Sequence, residues 1–566
     1  MNRVTCRLAA VIFALLLVSP VAHSAEPARA QKYMAATANP LATETALEIL
    51  RRGGSAVDAA IAAQMVLTLV EPQSSGLGGG AFMLHFDSET GRIVTYDGRE
   101  TAPASARPDM FLGADGEPMK WMDAVVGGRS VGVPGLLRML ELAHDDHGIL
   151  TWSELFADAI RLAEEGFPVS ARLNGLIKAD KQLRVFPDTE GYFFGPDGEP
   201  HPVGTVLHNT PLANTLAIIA DGGADSFYTG PIARDIADTV SNAPLNPASM
   251  TPSDIARYRA IKRDAVCGPY RGFTVCGMPP PSSGGITTLQ ILGILERFDM
   301  SGGADDLATA HLLAEASRLA FADRNQYIAD PNVVPQPAGL LDAAYLAERA
   351  ALIDPAKSMG RAKAGKPENE TMLRFAPSGD EQGVSTTHLV IVDGAGDVVS
   401  LTSSIETQFG SRLMVRGFLL NNQLTDFSFV ADKKGVPIAN RVEAGKRPRS
   451  SMAPTIMLNG DGSFRLAVGS PGGSSIIGYV TKTLVAYIDW GMNIQDAIEV
   501  PHIVNRNART RLEKDTAAEA LAPGLEALGH TVNITRMTSG LQGISREDGV
   551  LLGGADPRRE GVALGD

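Results

Sequence analysis

Cysteine is scarce in this chain, and so is any arrangement of side chains that typically holds a metal ion. Among 566 residues there are three cysteines, Cys6, Cys267 and Cys276, and ten histidines. The histidines fall into no ligand spacing with one another or with cysteine, so the sequence predicts no metal site. Cys267 and Cys276 flank GPYRGFTV, which is typical of a hairpin, and two interpretations stay open: a disulfide, or two half-buried free thiols.

Positive charge is also in short supply. The 50 Lys and Arg residues stand against 64 Asp and Glu residues, which gives a formal net charge of −14 at pH 7. Because binding to phosphate groups requires a basic surface, nucleic acid is not an expected partner. The chain shows no nucleotide-binding fingerprint either, and we expect no cofactor.

Long apolar runs are lacking beyond the first residues. Two arginines precede an apolar run of eleven residues, 8–18, which is too short to span a bilayer. Small residues suited to cleavage follow near Ser24, so residues 1–25 are predicted to be a signal peptide, with an uncleaved anchor as the alternative. The mature protein is expected to be soluble and either periplasmic or secreted, without a membrane partner.

The rest of the chain alternates between helical and strand-like segments. Residues 39–54 and 55–71 carry helix start and stop signals, and the second helix opens with Ser55 and Asp58 at capping-box spacing. Residues 355–383 are rich in Lys, Glu, Gly, Ser and Pro, which predicts an exposed linker. The alternation of helices and strands indicates stacked α and β layers.

A strand begins abruptly where this linker ends, at THLVIVD, and a Gly-Ala-Gly turn and DVVSLTSS follow. The pattern predicts a β-hairpin with its loop at residues 394–397. Pairing in that register places Thr386 opposite roughly Ile405, with Ser404 and Glu406 adjacent.

A threonine at such a strand start can carry chemistry that it lacks in mid-chain. If the peptide bond before Thr386 is cut, the freed α-amino group becomes a base beside the hydroxyl. The unperturbed pKa of such a group is about 7.7–8.0, close to the pH at which a general base works best. Ser385-Thr386 meets the requirement for an accessible loop before a strand, although threonine pairs in strands are commonly structural.

The remaining motifs favour the catalytic interpretation. In chain order they are GGSAVDAA at 53–60, EPQSSGLGGGAFML at 71–84, DGRETAP at 97–103, VGVPG at 131–135, MPPPSSGG at 278–285, ADRNQY at 322–327, STTHLVIVD at 385–393, LLNNQLTDFS at 419–428, KRPRSSMAPT at 446–455 and GSPGGS at 469–474. Through these stretches the chain resembles the gamma-glutamyltransferase family of N-terminal-nucleophile hydrolases.

The resemblance implies a fold and a processing step. The fold would be an α/β sandwich of four layers in the order αββα, formed jointly by two self-cleaved subunits. Scission between Ser385 and Thr386 would leave a large subunit, 26–385, and a small catalytic subunit, 386–566, associated as a heterodimer. Thr386 would then take the acyl group of glutathione or another gamma-glutamyl amide and pass it to water, an amino acid or a peptide.

The resemblance also implies roles for single residues. Gly472 and Gly473, on a turn before a helix, would supply backbone N–H groups to the oxyanion, although a plain tight turn is the alternative. Ser404 would hydrogen-bond the nucleophile. The α-carboxylate of the donor would be bound by Arg99, Ser450 and Ser451. The α-ammonium group would be bound by Gln423 and Asp426.

Three departures from the family pattern bear on substrate choice. Glu406 stands where the family usually has asparagine, so an extra carboxylate faces the donor site and is expected to alter donor preference. Ser404 stands where threonine is frequent, which keeps the hydroxyl and loses a methyl group. Residues 427–445 lack the tyrosine that covers the pocket in some members, which predicts a more open donor site and a preference for hydrolysis over transfer.

Two other functions stay open at this point. One is an acylase of the same fold with a different acyl specificity, similar to the cephalosporin acylases. The other is a periplasmic binding protein that never processes itself. The proposed clamp for a zwitterion argues against the first alternative, and the intact Thr386 argues against the second.

Overall fold

The structure is a computed structural model that describes residues 26–368, 375–379, 383 and 385–566. The predicted signal peptide, 1–25, lies outside the described residues. Among the helices that are described, none combines the length and the apolar character needed to cross a bilayer.

The strands of the described chain form two large sheets and several short ribbons. In chain order they are β1 Ala28–Ala30, β2 Met34–Thr37, β3 Gly80–Phe86, β4 Ile93–Gly98, β5 Phe167–Pro168, β6 Val206–Leu207, β7 Ile261–Asp264, β8 Val266–Tyr270, β9 Phe273–Gly277, β10 Thr387–Val392, β11 Val398–Ser404, β12 Met414–Val415, β13 Phe418–Leu419, β14 Asp432–Lys433, β15 Val436–Pro437, β16 Thr455–Leu458, β17 Phe464–Gly469, β18 Ile503–Asn505, β19 Thr510–Glu513, β20 Val532–Thr535, β21 Gln542–Glu547, β22 Val550–Ala555 and β23 Val562–Gly565.

The α-helices are, in the same order, α1 Pro40–Arg51, α2 Ala56–Val70, α3 Trp121–Val125, α4 Leu136–His147, α5 Ala157–Glu165, α6 Ala171–Ala179, α7 Pro187–Phe193, α8 Thr210–Gly222, α9 Asp225–Tyr228, α10 Gly230–Ser241, α11 Pro252–Ala256, α12 Gly284–Leu295, α13 Leu307–Tyr327, α14 Ala343–Ala350, α15 Ile476–Ile488, α16 Ile494–Glu499 and α17 Ala522–Ala527. The predicted capping box of α2 is present, since the Ser55 hydroxyl accepts from Asp58 N and the Asp58 carboxylate accepts from Ser55 N.

Each large sheet has seven antiparallel strands. Sheet I has the order β23-β2-β10-β11-β3-β4-β7, and sheet II has the order β1-β22-β21-β17-β16-β9-β8. Both sheets combine strands from before and after residue 385: β10 lies between β2 and β11, and β16 pairs with β9. The two parts of the chain therefore share both sheets.

The side chains of the central strand β10 divide between two cores. Leu389 and Ile391 lie in the core that contains α1 and α2, whereas Val390 and Val392 lie in the core that also contains sheet II and the helices α12 and α15. Because successive side chains on a strand point to opposite faces, sheet I is covered by helices on one side and by sheet II on the other. The order of layers is αββα, and the predicted fold class is confirmed.

Two local expectations are settled by the structure. Cys267 and Cys276 face each other across β8 and β9 and form a disulfide, so the first of the two interpretations of these cysteines is confirmed. The described parts of the linker contain no helix, but its exposure is incomplete: Ser358 and Ser378 are buried, and Ala376 forms a β-bridge with Ile438.

Candidate active site

The β10–β11 hairpin sets the position of the predicted nucleophile. Thr387 pairs with Ser403, so Thr386 lies opposite Ser404 and the predicted register, opposite roughly Ile405, is wrong by one residue. The loop is one residue longer than predicted because β10 ends at Val392. Asp393 donates its N–H to the Asp397 carbonyl oxygen at 3.0 Å, and its Oδ1 accepts hydrogen bonds from the backbone N–H groups of residues 395–397.

The hydroxyl of Thr386 lies against the carbonyl group of the preceding residue. Its Oγ1 hydrogen-bonds the Ser385 carbonyl oxygen and lies 3.1 Å from the Oγ of Ser404. The Ser404 hydroxyl itself donates to the Ser385 carbonyl oxygen at 3.1 Å, and the Glu406 N–H donates to Ser404 Oγ at 2.8 Å. The hydroxyl of the predicted nucleophile, the Ser385 carbonyl group and the Ser404 hydroxyl are thus in one buried cluster.

A narrow cavity of about 20 Å³ opens onto this cluster. Its lining residues come mostly from the part of the chain after Thr386, and they are Gly383, Ser385, Thr386, Ser404, Glu406, Gln423, Asp426, Ser450, Ser451, Met452, Gly473, Ser474 and Ile476. Nine of the eleven predicted site residues are among them, and Arg99 and Gly472 are not. A cavity of that volume holds about one water molecule.

The two predicted oxyanion glycines occupy the turn between β17 and α15. Gly472 and Gly473 have φ angles of +133° and +58°, a region that favours glycine. A Cβ added to Gly472 would lie 2.6 Å from Cε2 of Tyr479, so no larger residue fits without movement of the turn. The turn leads directly into Gly473–Ser475, one turn of 3₁₀-helix that precedes α15.

Arg99 and Asp426, which were predicted to bind opposite ends of the donor, contact each other. The Nη2 of Arg99 lies 2.5 Å from Oδ2 of Asp426 and donates to the Arg449 carbonyl oxygen at 2.9 Å, and its Nε donates to the Pro448 carbonyl oxygen at 3.0 Å. Gln423 Nε2 donates to the same Asp426 oxygen at 3.2 Å. A buried guanidinium requires a counter-ion, and Asp426 meets that need here.

Ser450 and Ser451 are held by residues from the part of the chain before the predicted cut. The Ser450 N–H donates to the Pro281 carbonyl oxygen at 3.0 Å, and the Ser451 hydroxyl accepts from Arg324 Nη2 at 2.6 Å. Arg324 also donates through Nε to Ser283 Oγ at 2.8 Å and is buried on α13. Sequence analysis missed this arginine, although ADRNQY is one of the matching motifs and an arginine inside a buried helix is a signal in itself.

Glu406 lies in a backbone conformation that is uncommon for its residue type. Its φ angle is +82°, and its carboxylate accepts a hydrogen bond of 2.6 Å from Asn422 Nδ2. Asparagine adopts positive φ more readily than glutamate, so this position has a backbone reason to favour the residue that the family usually carries. Glu406 lines the narrow cavity.

A second residue that sequence analysis missed contacts the backbone of the predicted nucleophile, Thr386. Arg559, in the loop between β22 and β23, donates through Nη1 to the Thr386 carbonyl oxygen at 2.9 Å. Its motif, DPRRE, gave no signal because the contact joins residues 173 positions apart.

A larger cavity lies next to the narrow one. Its volume is about 300 Å³, it shares Asp426 with the narrow cavity, and Met119, Trp121, Phe427 and Phe429 are part of its lining. Residues 427–430 form one wall, in the segment for which the sequence predicted a more open donor site.

A cluster of potential metal ligands lies outside this site. His311, Glu315 and His530 place one ligand atom each within 4.8 Å of one another. His311 Nδ1 is 2.8 Å from His530 Nε2, His311 Nε2 is 2.9 Å from the Asp354 carbonyl oxygen, and Arg318 Nε donates to Glu315 Oε1 at 2.9 Å. Each member therefore has a protein partner, and the cluster is satisfied as a hydrogen-bonded network.

Comparison with known proteins gives one consistent result. The family model for gamma-glutamyltranspeptidase matches residues 42–566. The glutathione hydrolase proenzyme of Bacillus subtilis (strain 168) is 38% identical over 544 residues, covering 94% of this chain and 91% of that protein. The glutathione hydrolase proenzyme of Escherichia coli (strain K12) is 38% identical over 565 residues, covering 95% and 93%.

The fold comparison agrees with the sequence comparison. The crystal structure of cephalosporin acylase from Bacillus halodurans superimposes with a TM-score of 0.84 at 27% identity, over 98% of this chain and 99% of that chain. The family match extends over nearly the whole chain and includes Thr386 and the strand that follows it. This chain therefore belongs to the gamma-glutamyltranspeptidase family and is a gamma-glutamyltransferase enzyme.

Proposed function

We propose that the chain is a precursor that cuts itself between Ser385 and Thr386 and then acts as a gamma-glutamyl hydrolase and transferase with Thr386 as its nucleophile. The observation that carries the proposal is the contact of two hydroxyl groups, from Thr386 and Ser404, with the Ser385 carbonyl oxygen. The name proenzyme, given to the similar proteins of two bacteria, supports the processing step.

The first reaction is an acyl shift. Thr386 Oγ1 attacks the Ser385 carbonyl carbon, while the Ser404 hydroxyl donates to the oxygen on which negative charge develops. The C–N bond breaks, the nitrogen takes the proton of the hydroxyl, and an ester joins Ser385 to Thr386. Water then hydrolyses the ester, leaving a carboxylate on Ser385 and a free amino group on Thr386.

The second reaction uses the new chain end. The α-amino group takes the proton of the Thr386 hydroxyl, which attacks the γ-carbonyl carbon of the donor. The proton passes to the departing amine, and a gamma-glutamyl ester forms on Thr386. Water or the amino group of an amino acid or peptide then attacks the ester and regenerates the hydroxyl. The N–H groups at Gly472 and Gly473 stabilise the oxyanion in both steps.

Donor recognition follows from the charges around the cavity. Asp426 and Gln423 bind the α-ammonium group, and Ser450, Ser451 and Arg99 bind the α-carboxylate. On donor binding, the substrate ammonium takes over part of the interaction that Asp426 now makes with Arg99, which frees guanidinium N–H groups for the carboxylate. Glutathione and other gamma-glutamyl amides have both groups in this arrangement.

The mature enzyme is a heterodimer of 26–385 and 386–566, exported from the cell. Association without a covalent link is supported by the shared sheets, in which β10 and β11 lie between β2 and β3. Separation of the two pieces would leave unpaired strand edges inside both sheets, which costs many hydrogen bonds and much buried apolar surface.

A second candidate activity is hydrolysis of a non-amino-acid acyl amide, favoured by the fold similarity to a cephalosporin acylase. The two activities separate in one assay with gamma-glutamyl-p-nitroanilide and glutaryl-p-nitroanilide. We expect the gamma-glutamyl compound to be hydrolysed at least tenfold more efficiently, because a glutaryl group has no ammonium for Asp426 to bind. Preference for the glutaryl compound would replace the proposed activity with the second one.

Processing is tested on a denaturing gel with the purified protein. We expect two bands, of about two-thirds and one-third of the chain after residue 25, and N-terminal sequencing of the smaller one should begin at Thr386. Thr386→Ala should give one uncut band and no hydrolysis, because it lacks the attacking oxygen. An uncut wild type, or a small fragment that begins elsewhere, would contradict the proposal.

A further inference from the structure

Arg559 has no part in the chemistry described so far, yet it touches the residue on which that chemistry depends. The loop between β22 and β23 carries it to the strand start. Its Nη1 donates to the Thr386 carbonyl oxygen at 2.9 Å, and its Nη2 donates to the Thr538 carbonyl oxygen at 3.0 Å. Its own N–H donates to the Asp556 carbonyl oxygen at 3.2 Å, so both ends of the side chain are fixed.

The path of the Arg559 side chain depends on a glycine. Gly540 has a φ angle of +135°, and a Cβ added to it would lie 2.6 Å from Cδ and 2.8 Å from Nε of Arg559. The Gly540 N–H donates to Asp556 Oδ2 at 2.9 Å, which holds the glycine in place. The loop is therefore shaped so that the guanidinium reaches Thr386 in one orientation.

The charge of Arg559 is retained in this environment. Burial, with a contribution from the positive charge of Arg172, lowers the pKa of Arg559 to about 9, and Glu71 acts in the opposite direction. The guanidinium therefore remains protonated at neutral pH. Glu71 is fully buried at the end of α2, and it bonds Gln73, whose carbonyl oxygen accepts from the Ser385 hydroxyl at 2.8 Å.

We propose that Arg559 is a positioning residue for Thr386: it fixes the orientation of the nucleophile through the Thr386 carbonyl, and its charge keeps the released amino group in the neutral form that accepts a proton. The inference rests on the proposed function of Thr386. The 2.9 Å contact with the carbonyl oxygen of the same residue places the guanidinium within about 6.5 Å of the Thr386 nitrogen. A like charge at about 4–6 Å disfavours the protonated form of an amine.

Other charged groups face the same nitrogen. Glu406 and Asp426 line the cavity in front of it and favour the protonated form. Glu71, whose pKa is raised by burial, belongs to the cluster around Arg559 and acts in the same direction in its ionised form, whereas Arg506, which contacts Ser474 at the cavity wall, acts with Arg559. Removal of Arg559 leaves the carboxylates in place, so the amino group is expected to hold its proton to higher pH.

The test compares the pH dependence of kcat/KM for gamma-glutamyl-p-nitroanilide in the wild type, Arg559→Met and Arg559→Lys. We expect Arg559→Met to shift the acidic limb upward by about one pH unit and to lower kcat by about tenfold. Arg559→Lys keeps the positive charge, so the acidic limb of its pH profile should lie within about 0.3 pH units of the wild-type limb. Arg172→Met, which removes a cation of the same cluster without a contact to Thr386, is the matched control and should also leave the limb in place.

The outcomes separate this inference from the proposed function. A wild type that is uncut, or cut elsewhere than before Thr386, contradicts the proposed function. A wild type cut before Thr386 together with an unshifted limb in Arg559→Met overturns only the role of Arg559. If Arg559→Met stays uncut, the Arg559→Lys variant decides. An Arg559→Lys protein that matures and keeps the acidic limb of the wild-type pH profile supports the positioning role of Arg559. An Arg559→Lys protein that fails to mature although its Tm is unchanged overturns that role.

Discussion

The hydroxyl oxygens of Thr386 and Ser404 lie 3.1 Å apart, and both contact the carbonyl oxygen of Ser385. Ser404 is the last residue of β11 and Thr386 directly precedes β10, so the hairpin register fixes this relationship. An alternative register would move Ser404 to the other face of the sheet and separate the two groups.

Ser404→Ala should slow self-cleavage. Its hydroxyl donates to the carbonyl oxygen that becomes negatively charged, and loss of one such donor reduces rates by about 10²-fold or more. The measurement is the time course of the two bands after purification of the precursor. Ser404→Thr should process at nearly the wild-type rate, and Ser403→Ala, at the buried neighbouring position, is the control. Equal rates for Ser404→Ala and the wild type would remove Ser404 from the mechanism.

Gly472→Ala should reduce kcat much more than it changes KM. An added Cβ would lie 2.6 Å from the ring of Tyr479, so either the ring or the turn that we propose to supply the oxyanion N–H groups must move. Loss of one oxyanion donor lowers kcat by about 10²–10³-fold. Gly462→Ala is the control, because Gly462 has a φ angle of +85° but no atom within 4 Å of an added Cβ. A similar loss in both variants would indicate backbone strain as the cause.

Arg99→Lys should raise KM for gamma-glutamyl-p-nitroanilide by about tenfold, with a smaller change in kcat. Lysine cannot reproduce the forked geometry with which the guanidinium meets Asp426 and two backbone carbonyls. Steady-state kinetics measure both constants. Arg263→Lys, in a nearby ion pair with Asp97 outside the cavity, is the control. An unchanged KM in Arg99→Lys would exclude Arg99 from the donor site.

Glu406→Asn and Glu406→Gln together separate a charge effect from a backbone effect. Both remove a carboxylate from the cavity, so both should lower kcat/KM for donors with a free ammonium. Only asparagine tolerates the φ angle of +82° well, so only Glu406→Asn should raise the free energy of unfolding, by about 1 kcal/mol. Thermal unfolding of the two variants checks the second effect. Equal Tm values would show that the backbone is unstrained.

The stability of the protein should fall at acidic pH partly because of His388. This residue is fully buried on β10, and burial lowers its pKa to about 3. The unfolded state takes up a proton below about pH 6.5, whereas the native state does not until about pH 3, so the free energy of unfolding falls as the pH drops through that window. At pH 5 the loss is about 2 kcal/mol. His388→Gln should therefore lose less Tm between pH 7 and pH 5, and His208→Gln, at an exposed position, should behave as the wild type.

The parts of the fold that the sequence predicted are those encoded by local patterns. The capping box of Ser55 and Asp58 predicted the start of α2, and the strand alternation after Thr386 predicted β10 and β11. The register was wrong by one residue because Asp393 joins the loop through its side chain, which periodicity does not report. The role of a side chain as a loop anchor depends on its geometry.

The site residues show the same division. Sequence motifs identified Thr386 and Ser404. Arg324 and Arg559 were missed because their contacts join residues that are far apart in the sequence. The pairing of Arg99 with Asp426 could not be predicted either, since it reflects the need of a buried cation for a counter-ion. Such contacts become visible only after two distant segments share one core.

The two large sheets contain strands from both sides of residue 385, and this affects the order of folding and cutting. Both sheets need strands from either side of residue 385, so in our proposal the continuous chain folds first and cutting follows. After cutting, the two unfolded pieces must meet by diffusion before they can refold, so the refolding rate depends on protein concentration. The mature enzyme would then owe its persistence to slow unfolding, and the uncut Thr386→Ala variant alone would recover after denaturant is diluted.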